Sequence, residues 1–246
     1  MPTYAVTGAS GHLGRLAVQE LLARGVPASD VVAVVRTRGK AADLAGRGVQ
    51  VREADYSRPE TLGAALAGEH RDSERALGEA GVPFTVLRNG YDTEGYTGQI
   101  GEYLEAGEIV GAAGNGRIST APRRDYAAAA AAALLEDEGG SRTYELGGPA
   151  FDLPELARII TEVTGAKVTY RDLPAGEYAS WLQRVGLDEA TAHFVAALDA
   201  SIARGDLETS SQDLAQLLGR PATPLAGVVA AAHDAVPDAA RDSREH

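Results

Sequence analysis

The sequence predicts an α/β protein: a doubly wound parallel sheet at the N-terminus, then a smaller and mainly helical C-terminal region. Three observations predict it. Strand-like and helix-like runs alternate between Thr3 and Glu53. A glycine-spaced loop joins the first strand to the first helix. Apolar stripes at helical spacing take over after Gly148.

Residues 3–7 form a short apolar run ending at Gly8. Leu13, Leu16, Ala17, Leu21 and Leu22 then make one helical stripe, which Gly25 closes. Residues 31–35 are continuous and β-branched, as a strand buried on both faces of a parallel sheet requires. Residues 40–45 read as a brief helix, and 49–53 alternate as a third strand. The alanine-rich run 127–133 is a helix former. Beyond Gly148, Leu156, Ile159, Ile160 and Val163 form a stripe stopped by Gly165, and residues 168–170 suit a short strand. Trp181, Leu182 and Val185 belong to a second stripe, and Phe194, Val195 and Leu198 to a third. Such stripes are expected to be core, with a few members free to line a pocket. The expected division is 1–148 for the sheet domain, 149–236 for a substrate-binding region and 237–246 for a frayed tail.

Composition removes several function classes. The chain has 246 residues, a net charge of −12 and no cysteine. An acidic balance disfavours nucleic acid and anionic membrane surfaces as partners, since both need a basic footprint. Without cysteine there is no disulfide framework, thiol redox centre, iron–sulfur cluster or thiolate zinc site. His12, His70, His193, His233 and His246 are scattered without ligand spacing, so no metal is expected. The start of the chain lacks a signal peptide's basic and apolar regions, and no stretch reaches ~18 apolar residues. A soluble cytoplasmic protein is the expectation.

The loop Thr7-Gly8-Ala9-Ser10-Gly11-His12-Leu13-Gly14 has the G-x-x-G-x-x-G spacing. With 29 glycines in the chain the spacing recurs, and Gly95, Gly98 and Gly101 match it too. Context separates the two matches. The first lies between a strand and an amphipathic helix, whose N-terminal amides and dipole can hold a pyrophosphate; the alternative is a structural turn. The second follows a strand only after a loop. At the end of the second strand an acid would favour NAD, whereas a base accommodates a 2′-phosphate. Arg36 stands there, with Arg38 and Lys40 close by, which favours NADP(H) over NAD(H). Asp55, after the third strand, is either an adenine contact or a cap.

TGASGHLG, VVAVVRTRGKA, VREADYS, VLRNGYDTEGY, GAAGNGRISTAPRRDYAAA and TYELGG, in that order, resemble the NmrA-like branch of atypical short-chain dehydrogenases, in particular its quinone-reducing members. The resemblance implies a Rossmann domain with a smaller substrate region, and hydride transfer from NADPH to a quinone. It assigns Gly8, Ser10, Gly11, His12, Leu13, Gly14 and Arg36 to the cofactor. Asn89, Gly90, Tyr91 and Glu94 match the loop between nicotinamide and substrate, while Arg123 and Tyr126 face the same cleft. Taken alone, Tyr126 is as readily a core residue and Tyr91 an exposed loop aromatic. A homodimer is the expected assembly if the chain is not a monomer.

One departure from the family is large. Residues 61–67 and 72–80 both read as helical, joined at Gly68-Glu69 without a strand. A doubly wound fold should alternate here, and the family carries roughly fifty further residues, including two strands and a helix. A natural deletion, an engineered or defective chain, and an incomplete sequence all fit. If the gap is real, residues 84–87 are expected beside the first strand in a narrower sheet.

The proton chemistry points the same way. No tyrosine has a lysine four residues later, and the only lysines are Lys40 and Lys167, so the catalytic residue is unassigned. A ketone accepting hydride becomes a strongly basic alkoxide that needs a positioned acid. A quinone becomes a phenolate-like anion of pKa near ~10, which water protonates later. Quinone reduction therefore survives without the pair. The alternative is a non-catalytic NADP(H)-sensing binding protein, also known in this family.

Overall fold

A computed structural model describes residues 4–53, 84–136 and 140–236. The chain divides into two compact units. The first takes Met1–Arg88, Arg123–Glu145 and Gln216–Arg220; the second takes Asn89–Pro122, Leu146–Ala215 and Pro221–His246. The units interleave along the chain, and one of the crossings, between Glu145 and Leu146, falls close to Gly148.

The first unit opens with β1 (Tyr4–Thr7), α1 (His12–Ala23), β2 (Val31–Val35), α2 (Ala42–Gly46) and β3 (Gln50–Glu53). The three strands form a parallel sheet with β2 in the middle, Thr7 opposite Val34 and Val35 opposite Glu53. This central position explains the unbroken β-branched run of β2, where Val31, Val32, Ala33 and Val35 are all buried. Val18 and Leu21 of α1 are fully buried against it, each stabilising the fold by about 1.5–3 kcal/mol. A 3-10 turn at Arg38–Ala41 precedes α2, so the brief helix begins slightly later than its apolar pattern suggests.

The alanine-rich run becomes α5 (Arg123–Leu135), whose Ala127 and Ala131 join the core of α1 and the sheet. Small side chains let the two helices approach closely, and Arg24 of the first unit donates to the Ala128 carbonyl at 3.2 Å. Residues 84–87 make no ladder with β1 among the described residues. Among the described residues, β4 (Thr85–Asn89) pairs instead with β8 (Arg142–Leu146). Arg142 N–H donates to the Phe84 carbonyl at 2.9 Å, and Arg88 bonds Glu145 at 2.6 Å, which together fix that pairing. The helices expected at 61–67 and 72–80, the Gly68 junction, Asp55 and the tail 237–246 lie outside the described residues.

In the second unit β5 (Tyr91–Asp92) pairs in parallel with β7 (Ile118–Ala121), and β7 pairs antiparallel with β9 (Ala150–Phe151). The short helices α3 (Glu94–Thr97) and α4 (Ile100–Ala106) lead into β6 (Glu108–Gly111), which pairs in parallel with β10 (Thr169–Asp172). Between them in sequence runs α6 (Leu153–Thr164). Asp152 caps it by accepting from the Glu155 N–H at 2.7 Å, and Gly165 at φ 74° ends it. Leu156 and Ile160 of its stripe enter the core; Ile159 and Val163 pack against it.

Two further helices, α7 (Ala175–Arg184) and α8 (Glu189–Ala203), pack together through Tyr178, Ala179, Leu182, Ala192 and Ala196. Their stripes are not core throughout: Val185 is 54% exposed and Phe194 70% exposed. The reason is a cavity, described below, that these side chains line. The chain continues through α9 (Asp213–Leu218) and α10 (Leu225–Asp234). Among the described residues no helix is long and apolar enough to cross a membrane.

Candidate active site

The glycine loop leaves β1 at Thr7 and turns at once, because Gly8 takes φ +61°, a conformation that favours glycine. The Ala9 N–H donates to the Val34 carbonyl at 3.2 Å and anchors the loop to β2. The Gly11 N–H donates to the Gly8 carbonyl at 2.8 Å, closing a tight turn. A Cβ at Gly14 would stand 2.5 Å from the Gly8 oxygen, so only glycine lets α1 pack this closely on the loop. At Gly11 the corresponding distance is 3.2 Å.

Gly11 is the N-cap of α1 and no side chain caps the helix. The His12, Leu13 and Gly14 amides therefore have no intrahelical acceptor, and the positive end of the helix dipole faces the exposed loop. Ser10 is half-buried beside them. This cradle of amides, free of Cβ atoms at Gly8, Gly11 and Gly14, fits a dinucleotide pyrophosphate.

Because Thr7 is opposite Val34, the loop and Arg36 emerge from the same end of the sheet. Arg36, Arg38 and Lys40 are exposed, and among the described residues their side chains form no ion pair. Arg15 is differently employed. Its guanidinium binds Asp43, holding that carboxyl below its usual range, and donates to the Lys40 carbonyl at 2.6 Å. Arg36 is thus an available cation at the second strand's end.

In the same unit, Arg123 opens α5 and is half-buried. Tyr126, one turn further on, has no exposed surface. That burial fits the core reading of Tyr126.

The second unit carries the loop that starts at Asn89, which is exposed. The Gly90 N–H donates to the Leu146 carbonyl at 2.7 Å, and the Thr93 N–H to the Ala121 carbonyl at 3.1 Å, so this segment is tied down at both ends. The buried Thr93 and Thr120 hydroxyls bond each other at 2.8 Å. Tyr91 and Glu94 are half-buried. The Tyr91 ring covers Gly95: a Cβ there would stand 2.3 Å from ring Cε1 and 2.6 Å from the phenolic oxygen. Tyr91 meets Tyr96 edge-on at 5.6 Å, and Tyr96 meets Phe151 similarly at 5.9 Å.

The second glycine match does not build a cradle. Gly95 lies under Tyr91, Gly98 closes α3 with a virtual Cβ 2.8 Å from the Glu94 carbonyl, and Gly101 lies within α4.

Tyr91, Gly95 and Tyr96 line a cavity of about 380 Å³ within this unit. Trp181 and Leu182 of α7, Val185 just after it, and Phe194, Val195 and Leu198 of α8 line it as well, so both stripes serve a pocket. Trp181 stacks on Tyr178 at 6.0 Å. The volume is at the lower end of the roughly 300–1,000 Å³ typical of small-ligand sites, and the wall is mainly aromatic and aliphatic. Asp199 of α8, only 5% exposed, supplies a carboxylate to that wall. Neither Asp199 nor Tyr178 stands out by motif. The available signal was a single acid at the buried spacing Ala192, Ala196, Asp199 and Ile202 of an apolar helix. Among the described residues no group of three or more His, Cys, Asp or Glu is placed to hold a metal ion.

A family model described as NAD(P)H-binding matches residues 8–71. Quinone oxidoreductase 2 of Escherichia coli K12 is 34% identical over 274 residues, covering 90% of this chain and 96% of that protein. The NmrA-like family domain-containing oxidoreductase flvB of Aspergillus flavus is 24% identical over 305 residues, covering 99% of this chain and 96% of that one. Among solved structures, the NADPH-dependent quinone oxidoreductase of Escherichia coli complexed with NADPH aligns with a TM-score of 0.85 and 32% identity, over 93% of this chain and 99% of that chain.

Proposed function

This chain belongs to the NmrA-like family of NAD(P)H-binding oxidoreductases, and on that premise we propose that it reduces a quinone-type acceptor at the expense of NADPH. The observation that carries the acceptor class is the aromatic cavity beside Tyr91 in a chain with no Tyr-x-x-x-Lys pair. Such a wall suits a flat ring, and a quinone needs no strong acid to accept hydride.

When bound, the nicotinamide supplies the hydride. The chain's own residues bind and orient. The His12, Leu13 and Gly14 amides hold the pyrophosphate, with Gly8, Ser10 and Gly11 giving backbone access. Arg36 takes the 2′-phosphate through charge-assisted hydrogen bonds, which selects NADPH over NADH. Asn89, Gly90, Tyr91 and Glu94 contact the nicotinamide end, and Asp55 the adenine. Tyr91 and Arg123 orient the acceptor, with Tyr91 held in place by Tyr96. Rate then follows from how well the two rings are aligned.

The same reading includes an internal gap. The 305-residue alignment to the Aspergillus relative exceeds the 246 residues of this chain, which supports family residues that this chain lacks. Loss of strands under the nicotinamide would slow turnover more than it weakens cofactor binding. A cytoplasmic homodimer belongs to the reading too, and sedimentation analysis tests the assembly. NADPH oxidation with and without 1,4-naphthoquinone tests the activity; tight NADPH binding without quinone-dependent oxidation would identify a sensor instead.

A further inference from the structure

The polar groups of the second-unit cavity are incompletely matched. Asp199 Oδ2 accepts from the Ala112 N–H at 2.7 Å, and a Cβ on Gly111 would stand 2.8 Å from that oxygen, so glycine makes room for the carboxylate. Among the described residues Oδ1 accepts no hydrogen bond. The hydroxyls of Tyr96, Tyr103 and Tyr178, residues 9%, 9% and 7% exposed, likewise have no hydrogen-bond partner there. All four residues line the cavity. Buried polar groups ordinarily find partners, because leaving one unmatched costs about 1–3 kcal/mol. A cluster of four around one cavity points to a ligand that brings its own polar atom.

We propose that Asp199, aided by the tyrosine hydroxyls around it, is the residue that recognises a ring oxygen of the acceptor, and that it serves both redox forms by exchanging roles. Protonated, its carboxyl donates to the carbonyl of a quinone. Ionised, it accepts from the hydroxyl of the hydroquinone. The inference rests on the quinone-reductase reading for the identity of the acceptor, but the hydrogen-bonding chemistry is that of the cavity itself.

The surroundings favour such an exchange near neutral pH. Burial first, and then the negative charge of Asp172 on β10, push the Asp199 carboxyl up to about 6, against the opposing Ala112 hydrogen bond. Tyr170 on β10 bonds Asp172 at 2.7 Å, and Tyr96, Tyr103 and Tyr178 face Asp199 from α3, α4 and α7 with their own titrations raised by burial. Glu102 and Glu108 contribute further acidic groups to the cavity wall. No cation among the described residues pairs with Asp199.

Trp181 is the chain's single tryptophan and lines the cavity, so its fluorescence reports occupancy directly. The full chain is titrated anaerobically, without NADPH, with 1,4-naphthoquinone and with 1,4-dihydroxynaphthalene between pH 5 and 7. The fraction of protonated Asp199 falls about tenfold over that interval, so naphthoquinone affinity falls by about tenfold and dihydroxynaphthalene affinity rises by about as much. Asp199→Asn, which keeps the shape, removes both dependences while Trp181 quenching persists; Tyr178→Phe weakens both ligands and keeps the dependences. Affinities of the parent chain that do not change with pH, or a dependence surviving in Asp199→Asn, would overturn the proposal. So would quinone turnover without any quenching of Trp181, and the quinone-reductase reading would then stand. Opposite pH dependences without turnover would uphold the cavity chemistry and reject that reading alone.

Discussion

Asp125, wholly buried in the first turn of α5, accepts a hydrogen bond at 2.7 Å from Arg220, a residue 95 positions later and half-exposed. The pair fastens the segment after α9 to the start of the helix that also carries Arg123. Removing the cation leaves a carboxylate buried without its guanidinium, the costly way to break such a pair. Arg220→Ala should therefore lower unfolding stability by about 1.5–3 kcal/mol, the range for a hydrogen bond to a charged group. Urea denaturation measures it, and a loss within the ±0.5 kcal/mol of an ordinary surface change would contradict the role.

The glycine loop offers a sharper contrast. Gly11→Val should abolish NADPH binding with little change in far-UV circular dichroism, since its backbone is extended and its Cβ meets only the Gly8 oxygen at 3.2 Å. Gly14→Ala should lose stability as well, its Cβ falling 2.5 Å from the same oxygen. In the second glycine match Gly98 is not a neutral control, because a Cβ there meets the Glu94 carbonyl at 2.8 Å. Gly101→Ala is neutral, having nothing within 4 Å, and should leave cofactor affinity unchanged.

Cofactor choice depends on Arg36. Arg36→Ala should weaken NADPH by about 1.5–3 kcal/mol, the range for hydrogen bonds to a charged group, and leave NADH nearly unaffected. Equal affinities for the two cofactors in the parent chain would reject the assignment.

Gly95→Ala should act on the acceptor. Its methyl group must displace the Tyr91 ring, which also lines the cavity. The expected result is a raised KM for 1,4-naphthoquinone, with NADPH affinity lowered less because the glycine loop and Arg36 still hold the pyrophosphate and the 2′-phosphate. A variant with unchanged KM would remove Tyr91 from the acceptor site.

The βαβ half was legible in the sequence because local rules decide it. A β-branched run must be a central strand, and a glycine loop before an amphipathic stripe must be a turn into a helix. β2 and α1 accordingly fall within a residue or two of their patterns. Strand partners were not legible: residues 84–87 pair with β8 through contacts more than fifty residues apart, such as Arg88–Glu145. Periodicity also cannot distinguish an apolar stripe that fills a core from one that lines a cavity. Phe194 and Val185 obey the helical spacing of core residues yet remain exposed around the pocket. Asp199 was hidden for the complementary reason, as one acid in an apolar helix carries no motif and acquires meaning only when Ala112 and the tyrosines close around it.

The most direct test of the central claim is the anaerobic rate of NADPH oxidation by the 246-residue chain, with 1,4-naphthoquinone or with a simple ketone such as acetophenone as acceptor. Quinone-dependent oxidation is predicted, slow beside the NADPH affinity because a misplacement of about 1 Å between reacting rings can cost ~100-fold. No oxidation is predicted with the ketone, whose alkoxide is far more basic than a hydroquinone anion and finds no Tyr-x-x-x-Lys pair to protonate it. NADPH bound tightly but never oxidised by the quinone, or a ketone reduced as readily as the quinone, would contradict the assignment.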